Sequence, residues 1–172
     1  MTEKVKLYLD VDGVINAWHA DKAWPSKNIG EATSRSGTYS IHWAPAMVAE
    51  LMAMDLELVW ATTWEQEAAT SIAPLIGWSE AEKSRWLSLE SVRENVKFGM
   101  LHTYGSIAWK NPAVRQDQED SPSPFIWIDD EMGFQDMNMA RDIGGLAIWS
   151  DPYRGIQPDD IEKMKQYIKD HS

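Results

Sequence analysis

The chain has 172 residues, of which 44% are hydrophobic and 25% charged, the profile of one globular domain rather than two large ones. It contains no cysteine, which excludes a disulfide scaffold, a thiolate zinc site and a cysteine nucleophile, and fits a reducing cytoplasm. The net charge of −11 sets the chain against broad binding of polyanions such as duplex nucleic acid, and no uncharged run approaches the roughly 20 residues of a membrane helix.

Met1 to Lys4 leads directly into a short apolar stretch ending in acids, which is not the pattern of a signal peptide. Lys4 to Leu9 alternates polar and apolar residues and predicts a first strand, running into Asp10-Val11-Asp12-Gly13-Val14. Residues 21–38 are polar, with Pro25, Gly30 and Gly37, and predict a long loop or flap within an insertion spanning about 15–43. Tyr39, Ile41 and Trp43 alternate as a short strand. Pro45 opens a helix to about Met54, with Met47, Val48 and Leu51 on one face. Leu56 to Ala61 predicts the next strand. Thr63 and Gln66 form a capping-box pattern, placing a helix N-terminus beside Thr62.

Further along, Arg85 to Leu89 predicts a short strand and Ser91 to Tyr104 a helix. The polar 111–120 stretch reads as a solvated loop at its acidic end, and Ser121 to Pro124 as a connector. Phe125 to Ile128 predicts a buried strand ending in Asp129-Asp130-Glu131. Met137 to Ile143 follows as a helix and Gly145 to Ile148 as a last strand. A C-terminal helix starts near Pro158, stapled by Ile156 and Ile161, burying Ile161, Met164 and Ile168. Alternating strands and helices imply an α/β fold, a Rossmann-like parallel sheet with helices on both faces.

In such sheets, ligands bind beyond the carboxyl ends of the strands. Three predicted strands end there in polar chemistry: Asp10 and Asp12, Thr62, and Asp129 with Asp130. Carboxylates so close together cannot all stay ionised without a cation, and hard oxygen ligands in a site open to substrate suit Mg²⁺. A calcium loop is excluded, because Gly13 takes the fourth place of the motif rather than the sixth. Thr62, or its neighbour Thr63, would offer a hydroxyl next to the N–H groups of a helix start, a setting for phosphate. Lys110, with Lys97 as its rival, would hold an attacking aspartate ionised.

The order Asp10-Val11-Asp12-Gly13-Val14, Thr62, Lys110, Asp129-Asp130 resembles the four motifs of the haloacid dehalogenase-like (HAD) superfamily, over residues 5 to about 150. Residues 60–64 (WATTW), Trp109-Lys110 and residues 127–131 (WIDDE) resemble the small HAD domains of bacterial and phage RNA-repair proteins. That resemblance implies Asp10 as nucleophile, forming an aspartyl-phosphate, and Asp12 as general acid and base. It implies Thr62 on the phosphoryl oxygens and Lys110 pairing with Asp10. Asp10, the Asp12 backbone carbonyl, Asp129 and Asp130 would serve the Mg²⁺, Asp130 directly or through water. Positions 13–61 and 111–128 leave no room for a large cap domain, so the site would admit bulky phosphorylated substrates.

The expected substrate class is therefore a nucleic-acid end or a nucleotide, with Trp18, Trp24 and Trp43 either packing the flap onto the core or stacking on a base. His19 and His42 flank the flap, as structural side chains or phosphate contacts. Glu131 would orient the loop after the fourth motif. Two further readings stay open: a 5′(3′)-nucleotidase for free nucleotides, and a HAD-shaped binding module without turnover. Transfer of the phosphoryl group to an acceptor other than water has the same motifs. No P-loop, G-x-G-x-x-G, G-x-S-x-G or H-E-x-x-H pattern is present, and nothing points to a membrane or an obligate protein partner.

Overall fold

The computed structural model describes residues 4–90 and 109–172. Its main sheet is five-stranded and entirely parallel: β1 (Val5–Leu9), β4 (Leu56–Trp60), β5 (Arg85–Trp86), β6 (Phe125–Asp129) and β7 (Leu146–Trp149), in the spatial order β5-β4-β1-β6-β7. Helices α1 (Pro45–Met52), α2 (Ala73–Leu75), α3 (Lys110–Asp120), α4 (Phe134–Asp142) and α5 (Pro158–Asp170) complete the α/β architecture read from the sequence. The chain first winds from β1 toward β5 and then returns to the other side of β1, so β4 and β6 both flank the central strand. This reversal is where doubly wound sheets open a crevice for ligands.

The period-two geometry of a strand sends alternate side chains into two separate cores. Leu7, Leu9, Leu58, Trp60, Ile126 and Ile128 face one core, with Met47, Val48 and Leu51 of α1 and Ile161 and Met164 of α5. Tyr8, Val59, Phe125 and Trp127 face the other, with Ala113 and Val114 of α3 and Met139 and Ala140 of α4. Both faces are covered, so β1 is buried at every position, including Lys6. The polar half of its alternation therefore meets partners rather than water. Asp117 of α3 accepts from Tyr8 Oη and, bidentately, from Arg85, while Lys6 Nζ lies 3.4 Å from its Oδ2. Gln118 donates to Tyr8 Oη at 2.9 Å.

These contacts correct the reading of the acidic 116–120 end as a solvated loop. The segment belongs to α3, with Pro112 tolerated in its first turn, and its polar residues Asp117 and Gln118 serve the buried face. The expected loop over 21–38 is also corrected. After a short 3₁₀ turn (Ala20–Lys22), the chain forms an antiparallel hairpin, β2 (Asn28–Ser34) with β3 (Gly37–Trp43), extending the strand expected at Tyr39 to Trp43. Ala32, Ile41 and Trp43 anchor the hairpin in the first core. Trp24 is fixed by its indole N–H to the Ile156 carbonyl at 2.7 Å, while Trp18 stays exposed.

The capping box expected at Thr63 and Gln66 does not start a regular helix. Glu65 takes φ 47°, a left-handed backbone, and a π-helical turn (Ala68–Ile72) precedes α2. Glu65 is held in that conformation by Leu89 N–H, which donates to its Oε1 at 2.7 Å, and by Arg35, which donates to its Oε2. The staple at α5 has both Ile156 and Ile161 buried in one core, and Asp160 accepts from Gln157 N–H at 3.1 Å. Ile168 is only partly buried. The helix expected over 91–104, and with it Lys97, lies outside the described residues. Among the described residues no helix is long and apolar enough to cross a membrane.

Candidate active site

Strands β4, β1 and β6 are adjacent, and their carboxyl ends carry Thr62, Asp10 and Asp129 at one edge. The register pairs Leu9 with both Trp60 and Ile128, so the residues just beyond emerge side by side. Asp10 is 6% exposed, and Asp129 and Thr62 are fully buried. Lys110 enters from the first turn of α3 and is 2% exposed. Its Nζ donates to Asp10 Oδ2 at 2.8 Å and to Asp129 Oδ2 at 2.6 Å. A buried ammonium without such partners would lose its charge. Burial does press Lys110 toward the neutral form, but Asp10 and Asp129 outweigh it and raise the pKa above the usual lysine value.

Asp10 is further oriented by Val11 N–H, which donates to Oδ1 at 2.8 Å, and the Thr62 side chain favours its ionised form. Of the two threonines, Thr62 is the one buried at the strand end. Thr63 is exposed, while Thr62 Oγ1 also accepts from Trp64 N–H at 3.4 Å.

Asp10, Asp129 and Asp130 each offer a carboxylate oxygen within 4.8 Å of the others. Three carboxylates against one lysine leave a formal excess of two negative charges. Burial, followed by the Asp10 charge, pushes Asp129 up to about 7. Burial, Asp10 and Glu131 push Asp130 up to about 6. Burial raises Asp10 as well, against the pull of Lys110. One divalent ion would neutralise this excess, and the all-oxygen donor set fits Mg²⁺. The loop after β1 is shaped for this approach. Gly13 has φ 71°, and a Cβ there would lie 2.3 Å from Asp130 Cγ. Ser150 Oγ fixes the Gly13 carbonyl at 2.6 Å, and Glu131 N–H donates to Asp129 Oδ1 at 3.1 Å.

The Asp12 carboxylate stands apart from this trio. Asn16 Nδ2 donates to its Oδ1 at 2.8 Å and Trp64 Nε1 to its Oδ2 at 2.9 Å, and it opens into the cavity beneath the β2–β3 hairpin. The expectation of four clustered carboxylates is thus corrected to three plus one. The backbone turns at Asp12, where an isolated bridge joins it to Asn16, so its side chain does not follow that of Asp10. Asn16 and Trp64 escaped the sequence reading, although a side-chain amide four positions after Asp12 and an indole two after Thr62 were its available signals. His42 is buried, its ring 4.5 Å from that of Trp18, and Asn16 Oδ1 accepts from its backbone N–H at 2.8 Å. Burial and the charge of Lys27 lower its pKa, which fits a structural side chain behind Trp18.

No curated protein and no solved structure matches the chain significantly. One family does match, over residues 6–161, described as the HAD domain in Swiss Army Knife RNA repair proteins. The match runs from β1 into α5 and takes in the carboxylate trio, Thr62 and Lys110, so the chain belongs to this family of HAD domains from RNA repair proteins.

Proposed function

We propose that this chain is a Mg²⁺-dependent phosphohydrolase with Asp10 as its nucleophile, acting on phosphate monoesters at nucleic-acid ends. The observation that carries the reading is Lys110 Nζ bridging Asp10 and Asp129 at 2.8 and 2.6 Å, at the carboxyl edge of the three central strands. A lysine so placed pulls Asp10 toward its ionised, attacking form against the effect of burial, and presents positive charge where phosphoryl oxygens arrive. Asp10, Asp129 and Asp130 would hold the cation, with the Asp12 backbone carbonyl. When bound, Mg²⁺ supplies charge neutralisation between the anionic nucleophile and the phosphate.

The protein's own part divides into two displacements. Asp10 attacks phosphorus through a carboxylate oxygen, and the bond to the ester oxygen breaks. Asp12, oriented by Asn16 and Trp64, gives that oxygen its proton, so the leaving group departs as an alcohol. Asp12, now a carboxylate, takes a proton from water, and the resulting hydroxide displaces Asp10 from phosphorus. Phosphate leaves and both aspartates return to their starting states. Thr62 and Lys110 hold the phosphoryl oxygens through both steps.

The test is phosphate release at neutral pH, with and without Mg²⁺, from a 3′-phosphorylated oligonucleotide, a 5′-phosphorylated one and a mononucleotide, run beside Asp10→Asn. Mg²⁺-dependent release that the variant loses is the expected result. A preference for the mononucleotide would move the substrate to free nucleotides. No release from a folded protein that binds Mg²⁺ would turn the reading toward a binding module.

A further inference from the structure

The cavity beneath the β2–β3 hairpin has a volume of about 430 Å³, within the usual range of small-ligand sites, and none of its lining residues is a lysine or arginine. Asp12 forms part of its wall, together with Asn16, Trp18, Ser36, Tyr39 and Trp64. The position of Asp12 decides what the cavity is for. A carboxylate that protonates the departing oxygen must face the leaving group rather than the phosphoryl group. Asp10, Asp129, Asp130 and Lys110 do not line the cavity. The cavity is therefore the leaving-group side of the site.

Its walls specify the chemistry of that group. They offer hydroxyls: Tyr39 Oη donates to Ser36 Oγ at 3.0 Å, and Ser40 Oγ lies 3.3 Å from His42 Nε2. They also offer a broad aromatic face. Trp18 is 65% exposed, and its ring is steadied from behind by the His42 ring at 4.5 Å. Tyr39 meets Trp64 edge-on at 5.7 Å. Without a cationic side chain in its wall, the cavity suits an uncharged group. A hydroxylated ring system with a flat aromatic part fits, held by hydroxyl hydrogen bonds and by stacking. The hairpin is preformed: Thr33 N–H donates to Ser71 Oγ at 2.9 Å, and Arg35 pairs with Glu65 and Glu67.

We infer that this cavity is a nucleoside subsite, in which the sugar of the phosphorylated residue lies against the serine and tyrosine hydroxyls and its base stacks on Trp18. The inference rests on the phosphohydrolase reading for the role of Asp12, but the subsite itself needs no turnover. A free nucleotide and the terminal residue of an oligonucleotide present the same group to it.

Two measurements on the full chain with Mg²⁺ test the subsite, each comparing wild type with Trp18→Ala. The first is hydrolysis of a nucleoside 3′-monophosphate, a 3′-phosphorylated oligonucleotide and acetyl phosphate, which carries no ring. The second is calorimetric binding of the nucleoside monophosphate and of inorganic phosphate to Asp10→Asn, with and without the Trp18 change. Loss of one stacked base weakens binding by about 5-fold or more. We expect Trp18→Ala to raise KM for the nucleotide substrates by that factor beyond any effect on acetyl phosphate, with kcat little altered. We expect the same loss in nucleotide binding and none in phosphate binding. Equal effects on all substrates, or nucleotide binding no tighter than phosphate binding, would overturn the subsite. If wild type hydrolyses none of the substrates, the phosphohydrolase reading fails, and the binding comparison still decides the subsite. A greater loss on the oligonucleotide than on the mononucleotide would identify the polynucleotide end as the source of the nucleoside.

Discussion

Gly13 offers a way to perturb the carboxylate trio without touching a carboxylate, with an internal control in the same chain. Gly13 and Gly77 both have left-handed backbones, with φ 71° and 79°. An alanine in that conformation costs about 1–2 kcal/mol at either place. The surroundings differ. A Cβ on Gly77 meets nothing within 4 Å, whereas a Cβ on Gly13 lies 2.3 Å from Asp130 Cγ and Oδ2 and 2.7 Å from its Cβ. Asp130 must swing away, and its side chain is too short to do so and keep its oxygen near Asp10 and Asp129. For a chain of this size, about 1 kcal/mol corresponds to roughly 2–4 °C in Tm. Gly77→Ala should lower Tm by about 2–8 °C. Gly13→Ala should add the cost of overpacking, about 1–3 kcal/mol more. The decisive comparison is the response to Mg²⁺. An ion at about 100 times its Kd stabilises a fold by roughly 2.7 kcal/mol. Gly77→Ala should keep the wild-type Mg²⁺ increment in a thermal melt, and Gly13→Ala should lose most of it. Equal Tm losses together with equal Mg²⁺ increments would refute the argument that Gly13 admits Asp130 to the cation site.

Asp10→Asn should abolish phosphate release while leaving far-UV circular dichroism and the cooperative melt in place; retained turnover would remove Asp10 from the role of nucleophile. Lys110→Met leaves Asp10 and Asp129 buried without their cation, and breaking such a pair costs about 3–5 kcal/mol, a drop in Tm of about 10 °C that added Mg²⁺ should partly restore. Asp117→Asn tests the network beneath the sheet. Burial alone would raise Asp117, but Arg85, Tyr8 and Lys6 hold it below the usual carboxylate range. A depressed folded-state pKa stabilises above the unfolded value near ~3.9 and is lost as pH falls through the lower folded value. The Tm gap between wild type and Asp117→Asn should therefore be full at pH 6 and shrink below about pH 4; a gap constant down to pH 3 would count against the ion pairs.

The linear order of residues determined the sheet. Short apolar runs ending in Asp, Thr and Asp-Asp define β1, β4 and β6, because strand-forming side chains and the polar residues that stop them are local properties. They also located the candidate site, since in a parallel sheet every strand ends at the same edge. Three things depended on tertiary structure. The acidic 116–120 end looks solvated, but Asp117 and Gln118 find Lys6, Tyr8 and Arg85, more than 25 positions away, and that meeting joins Ala113 and Val114 in giving α3 its buried face. Residues 21–38 look like loop because a hairpin's pairing is non-local and this one draws its apolar anchors, Ala32 and Ile41, singly. The division of the acids into a trio plus Asp12 depended on a single backbone turn. The sequence places Asp10 and Asp12 two residues apart, and the fold sends one toward Lys110 and the other toward Trp64. Side-chain direction beyond a strand end is set by the loop's packing, and here Gly13, Asn16 and Ser150 set it.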